Sequence, residues 1–270
     1  MGALLKLEEE LSDDQFKAFA ELVYAFTKVS IGESRITMLR SRIRRRMLAT
    51  GIATFSEYYS FLTKDKDEQQ YFIDKVTTHE TRFFRTPSVW EFLKKLPASF
   101  GGQKLRVWSA ASSTGEEAVS LAITLTEQQR AFEILGTDVS AETVRFSKEA
   151  KYSGRTIERM QKEYPLLVNR YFLKDGDVWH LSKNLKQSIQ FRVGNLFQTT
   201  EKHEYYDIIL LRNVLIYFSD EDIETLLRRI VTNLAVGGYF IIGESESIAA
   251  ERFGLEAVEP QIYLKRAEIS

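Results

Sequence analysis

The sequence predicts an α/β protein in which a mostly parallel sheet carries helices on both faces and follows an all-helical N-terminal region. From Leu105 onward, short apolar runs typical of strands alternate with amphipathic stretches typical of helices. Residues 11 to about 75 show helical patterns and no strand signals. The last two apolar runs, about Leu255–Val258 and Ile262–Lys265, are expected to form an antiparallel hairpin that closes the sheet.

Composition limits the possible classes of protein. The chain has 270 residues, 44% of them hydrophobic, which is enough for one large domain or two smaller ones. A net charge of -1 gives no overall basic field, so we expect no nucleic-acid partner. The chain has no cysteine, which excludes disulfides and thiolate metal sites and fits a cytoplasmic protein.

Two further classes are disfavoured. No apolar run approaches the ~18–20 residues of a membrane span, and the first residues lack the features of a signal peptide, so we expect no membrane insertion. The three histidines, His79, His180 and His203, lie far apart in the sequence, so no metal site is expected.

Residues 1–76 are expected to form a small helical domain, and residues 77–104 to connect it to a sheet domain at 105–270. Ser12 and the two aspartates after it are typical of a helix N-cap, and Gly51 is typical of a helix end. The expected helices are Gln15 to about Val29, Glu33–Thr50, Phe55–Leu62 and Glu68–Val76.

The second of these helices is rich in arginine and has apolar residues at the spacing of a buried stripe. The stripe forces the arginines to face outward or sideways. They form either a solvated basic face or a docking surface for an acidic protein helix. The arginines assigned to such a surface are Arg35, Arg40, Arg42, Arg45 and Arg46.

The sheet domain is expected to contain five main strands and three main helices before the terminal hairpin. Gly237 and Gly238 are placed as a C-cap after the last of these helices. The strands are Leu105–Ser109, Glu133–Thr137, Ile189–Gly194, Tyr206–Leu211 and Tyr239–Gly243, and the helices are about Glu116–Gln128, Ala141–Ala150 and Asp220–Leu234.

A polar insertion at about 151–188 interrupts this alternation. Within it, Tyr171-Phe172-Leu173 and Val178-Trp179-His180-Leu181 flank a turn-like segment and predict a hairpin. We therefore expect a small inserted β-subdomain with an edge that faces a partner.

The segment from Ser109 to Glu117 joins the first strand to a helix through small residues, as nucleotide pockets of α/β sheets do. Its acidic pair, Glu116 and Glu117, disfavours a diphosphate, because a helix N-terminus attracts anions. A carboxylate there suits a cationic ligand with an amino group and a sulfonium, such as S-adenosylmethionine. The other interpretation is an ordinary helix N-terminus enriched in glutamate. A nicotinamide dehydrogenase is disfavoured because the Gly-x-Gly-x-x-Gly fingerprint is absent.

Polar residues follow the other strands where ligands bind in such sheets. Asp138 ends the second strand and suits ribose hydroxyls, although it also suits a helix cap. Asn195 and Leu196 follow the third strand, where an adenine is expected, although asparagine also suits a plain turn. Asn213 follows the fourth strand, and Tyr217 is placed in the same cleft or in the core.

The segment from Thr77 to Arg85 bridges the two predicted domains. Phe83 and Phe84 suit the lining of a cleft. Arg85 suits a bidentate carboxylate contact, with an interdomain salt bridge as the other interpretation.

Together these segments resemble the CheR family, the chemotaxis methyltransferases that esterify receptor glutamates. The family motif Thr-x-Asn-x-Thr-x-Phe-Phe-Arg corresponds to Thr77 to Arg85, and Ser-Thr-Gly-Glu-Glu to Ser113 to Glu117. Further motifs match Arg212 to Phe218, Gly237 to Phe240 and Gly243 to Ser247. The sequence departs from the family at His79, usually Asn, and at Ala118-Val119, usually Pro-Tyr, and the β-insertion looks short for tight tethering of a receptor peptide.

The resemblance implies a class I S-adenosylmethionine-dependent methyltransferase (Rossmann-like) sheet with a helical N-terminal domain and a small inserted β-subdomain. The implied substrate is a glutamate on the cytoplasmic helical bundle of a chemoreceptor. We expect Arg85 and Tyr217 to be the catalytic residues, with Arg85 orienting the acceptor carboxylate and Tyr217 lining its approach. The implied cofactor contacts are His79, Thr81, Arg85, Glu116, Asp138, Asn195, Leu196, Asn213 and Val214.

The resemblance also indicates the product, the oligomeric state and the location of the protein, and it leaves alternative functions open. The product is S-adenosylhomocysteine, no metal is needed, and the protein is expected to be a monomer in the bacterial cytoplasm beside receptor arrays. The alternatives are a methyltransferase for a different protein or small molecule, and a non-catalytic signalling module that binds S-adenosylmethionine.

Overall fold

In the computed structural model, residues 10–97, 100, 104–198 and 205–267 are described. Residues 1–9 and His203, which entered the sequence analysis, lie outside this range. The chain divides into two compact units. The helical unit comprises Met1–Thr78 and Tyr217–Ser219, and the sheet unit comprises His79–Ile216 and Asp220–Ser270.

The helical unit begins and ends its helices with the residues that the sequence indicates. Ser12 caps the first helix in a reciprocal capping box with Gln15, and Gly51 ends the second in the left-handed conformation, with φ 74°. A short 3-10 turn, Glu33–Arg35, precedes the second helix, which therefore begins later than predicted. The helices are α1 (Asp13–Thr27), α2 (Ile36–Thr50), α3 (Phe55–Leu62) and α4 (Lys66–Val76).

Aromatic packing holds the helical unit together. The Phe19 ring of α1 is almost fully buried, and its centroid lies 5.4 Å from that of Tyr59 and 6.3 Å from that of Phe72. Leu39, Ile43 and Met47 of the predicted apolar stripe of α2 are fully buried in the same core, and Ile36 is partly buried against it. Burial of these side chains supplies the main stabilisation of the unit.

Arg46 differs from the expectation that it belongs to an exposed docking surface. Its guanidinium makes two hydrogen bonds to the buried Glu68 carboxylate, of 2.8 and 2.6 Å, and its side chain is only 17% exposed. The Tyr58 hydroxyl donates to the same carboxylate over 2.6 Å. These bonds raise the pKa of Arg46, and burial raises the pKa of Tyr58. Arg46 therefore serves the core of the helical unit, and periodicity missed this because Glu68 lies on another helix.

The sheet unit is built on a seven-stranded sheet in the part of the chain that the structure describes. Its strand order is β6-β2-β1-β7-β8-β10-β9, and a separate sheet has the order β3-β5-β4. The strands are β1 (Leu105–Ala110), β2 (Phe132–Asp138), β3 (Lys151–Tyr152), β4 (Phe172–Asp175), β5 (Val178–Leu181), β6 (Ile189–Val193), β7 (Tyr206–Leu211), β8 (Leu234–Ile242), β9 (Leu255–Glu259) and β10 (Ile262–Lys265).

Neighbouring strands from β6 to β8 are parallel, and β10 is antiparallel to both β8 and β9. This confirms the mostly parallel sheet with a terminal hairpin. The helices of the sheet unit are α5 (Pro87–Lys94), α6 (Glu116–Glu127), α7 (Ala141–Glu149), α8 (Arg155–Glu163), α9 (Pro165–Tyr171), α10 (Lys183–Gln187) and α11 (Asp220–Val231).

The two glycines placed as a C-cap lie inside a strand instead. Helix α11 already ends at Val231, and Gly237 and Gly238 belong to β8. A Cβ on Gly238 would lie 2.8 Å from the carbonyl oxygen of Asp207 on β7. Glycine is therefore needed here for close strand pairing, which a local helix-end pattern does not reveal.

The chain segments between the predicted strands hold more helix than the sequence indicates. Helix α5 lies within residues 77–104, and α8, α9 and α10 lie with the three-stranded sheet in the insertion. In the described ranges, no helix has the length and apolar composition needed to cross a bilayer.

The Arg46–Glu68 pair gives a test of stability in the helical unit. Glu68→Ala would leave a half-buried guanidinium and a buried tyrosine hydroxyl without their acceptor, and we expect a loss of about 3 kcal/mol in the free energy of unfolding. Arg45→Ala, at an exposed position of the same helix, should change it by less than about 0.5 kcal/mol. Urea unfolding followed by circular dichroism measures both, and equal effects would contradict the structural role of the pair.

Candidate functional site

Four loops leave the carboxyl ends of the neighbouring parallel strands β6, β2, β1 and β7. The chain passes from β1 outward to β2 and β6 on one side, and reaches β7 and β8 on the other. The strand order therefore reverses between β1 and β7, and open parallel sheets bind their ligands at such a point. Predicted site residues lie on each loop, including Glu116, Asp138, Asn195 and Asn213.

The loop after β1 uses its backbone amides within the protein. The amide of Ser112 donates to the Thr137 carbonyl over 2.8 Å, and the amide of Ser113 donates to the Asp138 carboxylate over 2.8 Å. The Gly115 amide donates to the Ser112 carbonyl over 3.0 Å. A phosphate-binding loop would direct such amides at its ligand. The geometry thus supports the expectation that the loop does not serve a diphosphate.

Glu116, at the start of α6, is the buried acid of this loop. Its carboxylate accepts a hydrogen bond of 2.6 Å from the Thr114 hydroxyl, and the residue is only 4% exposed. Burial raises the pKa of Glu116. A buried carboxylate with one side-chain donor is stabilised by a cation placed beside it.

Among the described residues of the sheet unit, two buried hydroxyl groups lack a hydrogen-bond partner. Among the residues that the structure describes, neither the Ser112 hydroxyl nor the Tyr152 hydroxyl has a hydrogen-bond partner, although both are buried. Burial and the charge of Glu116 raise the pKa of Tyr152. Orphaned hydroxyls and a buried acid fit a ligand with an ammonium group, as S-adenosylmethionine has. Tyr152 belongs to the inserted sheet, and no local sequence pattern pointed to it.

Asp138 links two loops through its carboxylate. One oxygen accepts from the Ser113 amide over 2.8 Å and the other from the Ser140 amide over 3.0 Å. The N-cap of α7 is Ser140, whose hydroxyl accepts from the Thr143 amide. A carboxylate has about four acceptor positions, so Asp138 retains capacity for ribose hydroxyls.

Arg212, directly after β7, is a buried connector that the sequence analysis did not single out. Its guanidinium forms an ion pair of 2.9 Å with Glu117 and donates to the Thr86 hydroxyl over 2.7 Å and to the Arg85 carbonyl over 3.0 Å. The two glutamates at the start of α6 therefore differ in their partners. Glu117 neutralises the charge of Arg212, whereas Glu116 accepts a hydrogen bond from the Thr114 hydroxyl. The sequence signal for this buried role was a charged arginine directly after an apolar strand.

Phe83 and Phe84 belong to the core and not to a cleft lining. They are 4% and 5% exposed, and the Phe83 ring centroid lies 4.9 Å from that of Tyr152. The half-buried Arg85 contacts the Glu80 carbonyl over 3.4 Å. In the described part of the chain, no ion pair of Arg85 is found within the sheet unit.

The remaining predicted contacts lie on the same unit. The His79 carbonyl accepts from the Ser113 hydroxyl over 3.3 Å, and Thr81 follows in the same segment. The Asn195 side chain accepts from the Phe197 amide over 2.9 Å, a turn contact, and Leu196 is buried.

Tyr217 is grouped with the helical unit instead. Its carbonyl accepts from the Ser30 amide over 3.2 Å, and the Arg35 guanidinium lies 5.8 Å from its ring centroid.

Arg42 is half-buried and donates to the Thr77 carbonyl over 3.3 Å. Burial and the charges of Arg45 and Arg35 lower the pKa of Arg42, so these cations lie near one another. Arg40 is half-buried on α2.

Metal ligands are not clustered in the described residues. No group of three or more histidine, aspartate or glutamate side chains there is arranged to hold a metal ion.

Comparison with known proteins identifies the family. The profile described as CheR methyltransferase, SAM binding domain, matches residues 79–263, and the profile of the CheR methyltransferase all-alpha domain matches residues 14–77. The chain is 31% identical over 261 residues to chemotaxis protein methyltransferase 2 of Pseudomonas aeruginosa, covering 93% of this chain and 92% of that protein. It is 29% identical over 278 residues to a chemotaxis protein methyltransferase of Borreliella burgdorferi, covering 96% of each.

The chain belongs to the CheR methyltransferase family. It is an S-adenosylmethionine-dependent methyltransferase with the class I sheet. The resemblance, the fold class, the enzyme class and the cofactor expected from the sequence are therefore confirmed.

Glu116 gives a prediction about pH. If Glu116 pairs with the ammonium group of S-adenosylhomocysteine, its protonated form must ionise on binding, so affinity should rise as pH increases from the usual glutamate range towards the raised pKa. The rise should approach about tenfold per pH unit and then level off. Calorimetry in buffers of different ionisation enthalpy should detect proton release in the rising range. Glu116→Gln should flatten the profile, and an unchanged profile in this variant would remove Glu116 from ammonium binding.

Proposed function

We propose that this protein transfers a methyl group to glutamate side chains on the cytoplasmic helical bundle of chemoreceptors, which gives glutamate methyl esters. The observation that carries the proposal is the match to both CheR domains over most of the chain, with relatives named as chemotaxis protein methyltransferases. The protein would act as a monomer in the bacterial cytoplasm beside receptor arrays. The proposed domains are residues 1–76, a connecting segment at 77–104, and 105–270 with the inserted sheet at about 151–188.

The cofactor is proposed to lie along the four loops at the carboxyl ends of the strands. Glu116 would accept from the ammonium group, with the Tyr152 hydroxyl nearby as a further polar contact. Asp138 would accept from the ribose hydroxyls, and Asn195 and Leu196 would contact the adenine. The other proposed contacts are His79, Thr81, Arg85, Asn213 and Val214.

The acceptor needs orientation more than deprotonation. A glutamate side chain has a pKa near ~4.3, so it is already a carboxylate at neutral pH and needs no general base. S-adenosylmethionine would supply an electrophilic methyl group, which the carboxylate oxygen would take up as the bond from the methyl carbon to sulfur is broken. Arg85 would orient the carboxylate and limit its motion, which is where most of the rate gain would arise. Tyr217 is the second proposed catalytic residue, and it would line the approach of the carboxylate.

The exposed arginines of α2 and of the 3-10 turn before it are proposed to bind the acidic face of the receptor bundle. Arg35 and Arg45 are exposed, and Arg42 is half-buried beside them, so like charges are concentrated on one face. Such a cluster accelerates association with an acidic partner. Arg46 is excluded from this surface because Glu68 neutralises it.

Methyl transfer to a receptor fragment tests the activity. With labelled S-adenosylmethionine, we expect label in a chemoreceptor cytoplasmic fragment that is released by mild base and is lost when the acceptor glutamates become alanine. Arg85→Ala should lower kcat at least about a hundredfold, because orientation accounts for much of the rate. Near-normal turnover in this variant would remove Arg85 from the reaction. Base-stable label would favour a different acceptor, and cofactor binding without any label would favour a non-catalytic module.

Salt and charge variants test the docking surface. The double variant Arg42→Ala and Arg45→Ala should raise KM for the receptor fragment by about three- to tenfold with little change in kcat, and should weaken the salt dependence of the rate. Arg145→Ala, which removes an exposed arginine of α7, is the matched control. If the double variant behaves like this control, the surface on α2 does not bind the receptor.

A further inference from the structure

Glu246, which follows β8, accepts hydrogen bonds from backbone amides of the loop after β7 and of Gly243. The residue is 8% exposed. One carboxylate oxygen accepts from the Asn213 amide over 3.0 Å and from the Gly243 amide over 2.6 Å. The other accepts from the amides of Val214 and Leu215, each over 2.8 Å. A single side chain therefore receives four backbone hydrogen bonds.

Three of these amides are consecutive and belong to the loop after β7. Asn213 has a φ of 58°, the left-handed conformation that asparagine tolerates better than most residues. A run of amides that turn to one point in this way forms a concavity that binds anions. Here the anion is a carboxylate of the same chain. Without it, the loop would have to turn its amides elsewhere, because a buried N–H without an acceptor is costly.

The same cluster fixes the side chain of Asn213. A Cβ on Gly243 would lie 2.7 Å from the Asn213 amide nitrogen, from its side-chain Nδ2 and from a carboxylate oxygen of Glu246. The Asn213 side chain therefore lies directly against the backbone of Gly243. A side chain at Gly243 would therefore displace either Asn213 or the Glu246 carboxylate.

We infer that Glu246 is a positioning residue for cofactor binding. It holds the backbone of Asn213 and Val214 in the conformation that contacts S-adenosylmethionine. The inference rests on the proposed function of these two residues as cofactor contacts. Glu246 itself need not touch the cofactor. Its charge matters, because hydrogen bonds to an ionised acceptor are about twice as strong as those to a neutral one.

Chemical rescue separates this role from general stability. Glu246→Ala removes the carboxylate and leaves four amides that face a carboxylate-sized space. We expect its affinity for S-adenosylhomocysteine, measured by calorimetry, to fall at least about tenfold. Added formate should occupy the space and restore most of that affinity, whereas the same concentration of chloride should not.

Two control variants make the result decisive. Glu259→Ala removes an exposed glutamate of β9 and should bind the product normally, with or without formate. Asn213→Ala removes a proposed cofactor contact and should weaken binding without any response to formate. If Asn213→Ala binds normally, the proposed cofactor contact is wrong, which is a separate failure from that of the inference.

The inference is overturned by either of two outcomes. One is that Glu246→Ala binds S-adenosylhomocysteine as tightly as Glu259→Ala does. The other is that its lost affinity does not respond to formate although its circular dichroism spectrum is unchanged. Should Glu246→Ala fail to fold, Glu246→Gln tests the same point, because its NH2 group cannot accept from the amides and only one oxygen remains. Product affinity in that variant equal to that of the unmodified protein would overturn the inference.

Discussion

Hydrogen bonds from loop amides to buried carboxylates hold the carboxyl edge of the sheet together. Asp138 joins the loop after β1 to the loop after β2, and Glu246 joins the loop after β7 to the end of β8. Neighbouring loops are thus joined by hydrogen bonds to side chains of the protein itself. Such pre-organisation lowers the entropic cost of binding.

This arrangement also determines what kind of ligand the edge favours. Amides that already donate to carboxylates and carbonyls are not free to hold phosphate oxygens. Glu116 remains as a buried acid with one side-chain donor, and it favours a positive group. The sheet has the layout of a nucleotide-binding fold, but the charges that its loops present differ from those of a dinucleotide site. Similar topology therefore serves a cationic cofactor through the choice of a few side chains.

The sequence predicted the elements that local chemistry defines. Ser12 and Gly51 marked the ends of helices because capping is local, and the strands of the sheet followed from apolar runs. Features that depend on distant partners were missed. The Arg46 partner lies on α4, and Gly238 is needed because β7 approaches it. Of the candidate site, the loop positions were predictable from strand ends, whereas Tyr152 and Glu246 act through residues far along the chain.

The grouping of Tyr217–Ser219 with the helical unit has a consequence for the order of folding. Domains generally fold as units and N-terminal segments leave the ribosome first, so α1 to α4 can pack while the sheet is still being made. The hydrogen bond from the Ser30 amide to the Tyr217 carbonyl can form only after the segment that follows β7 has been synthesised. The helical unit is therefore completed late in synthesis, by residues that the ribosome adds after most of the sheet strands.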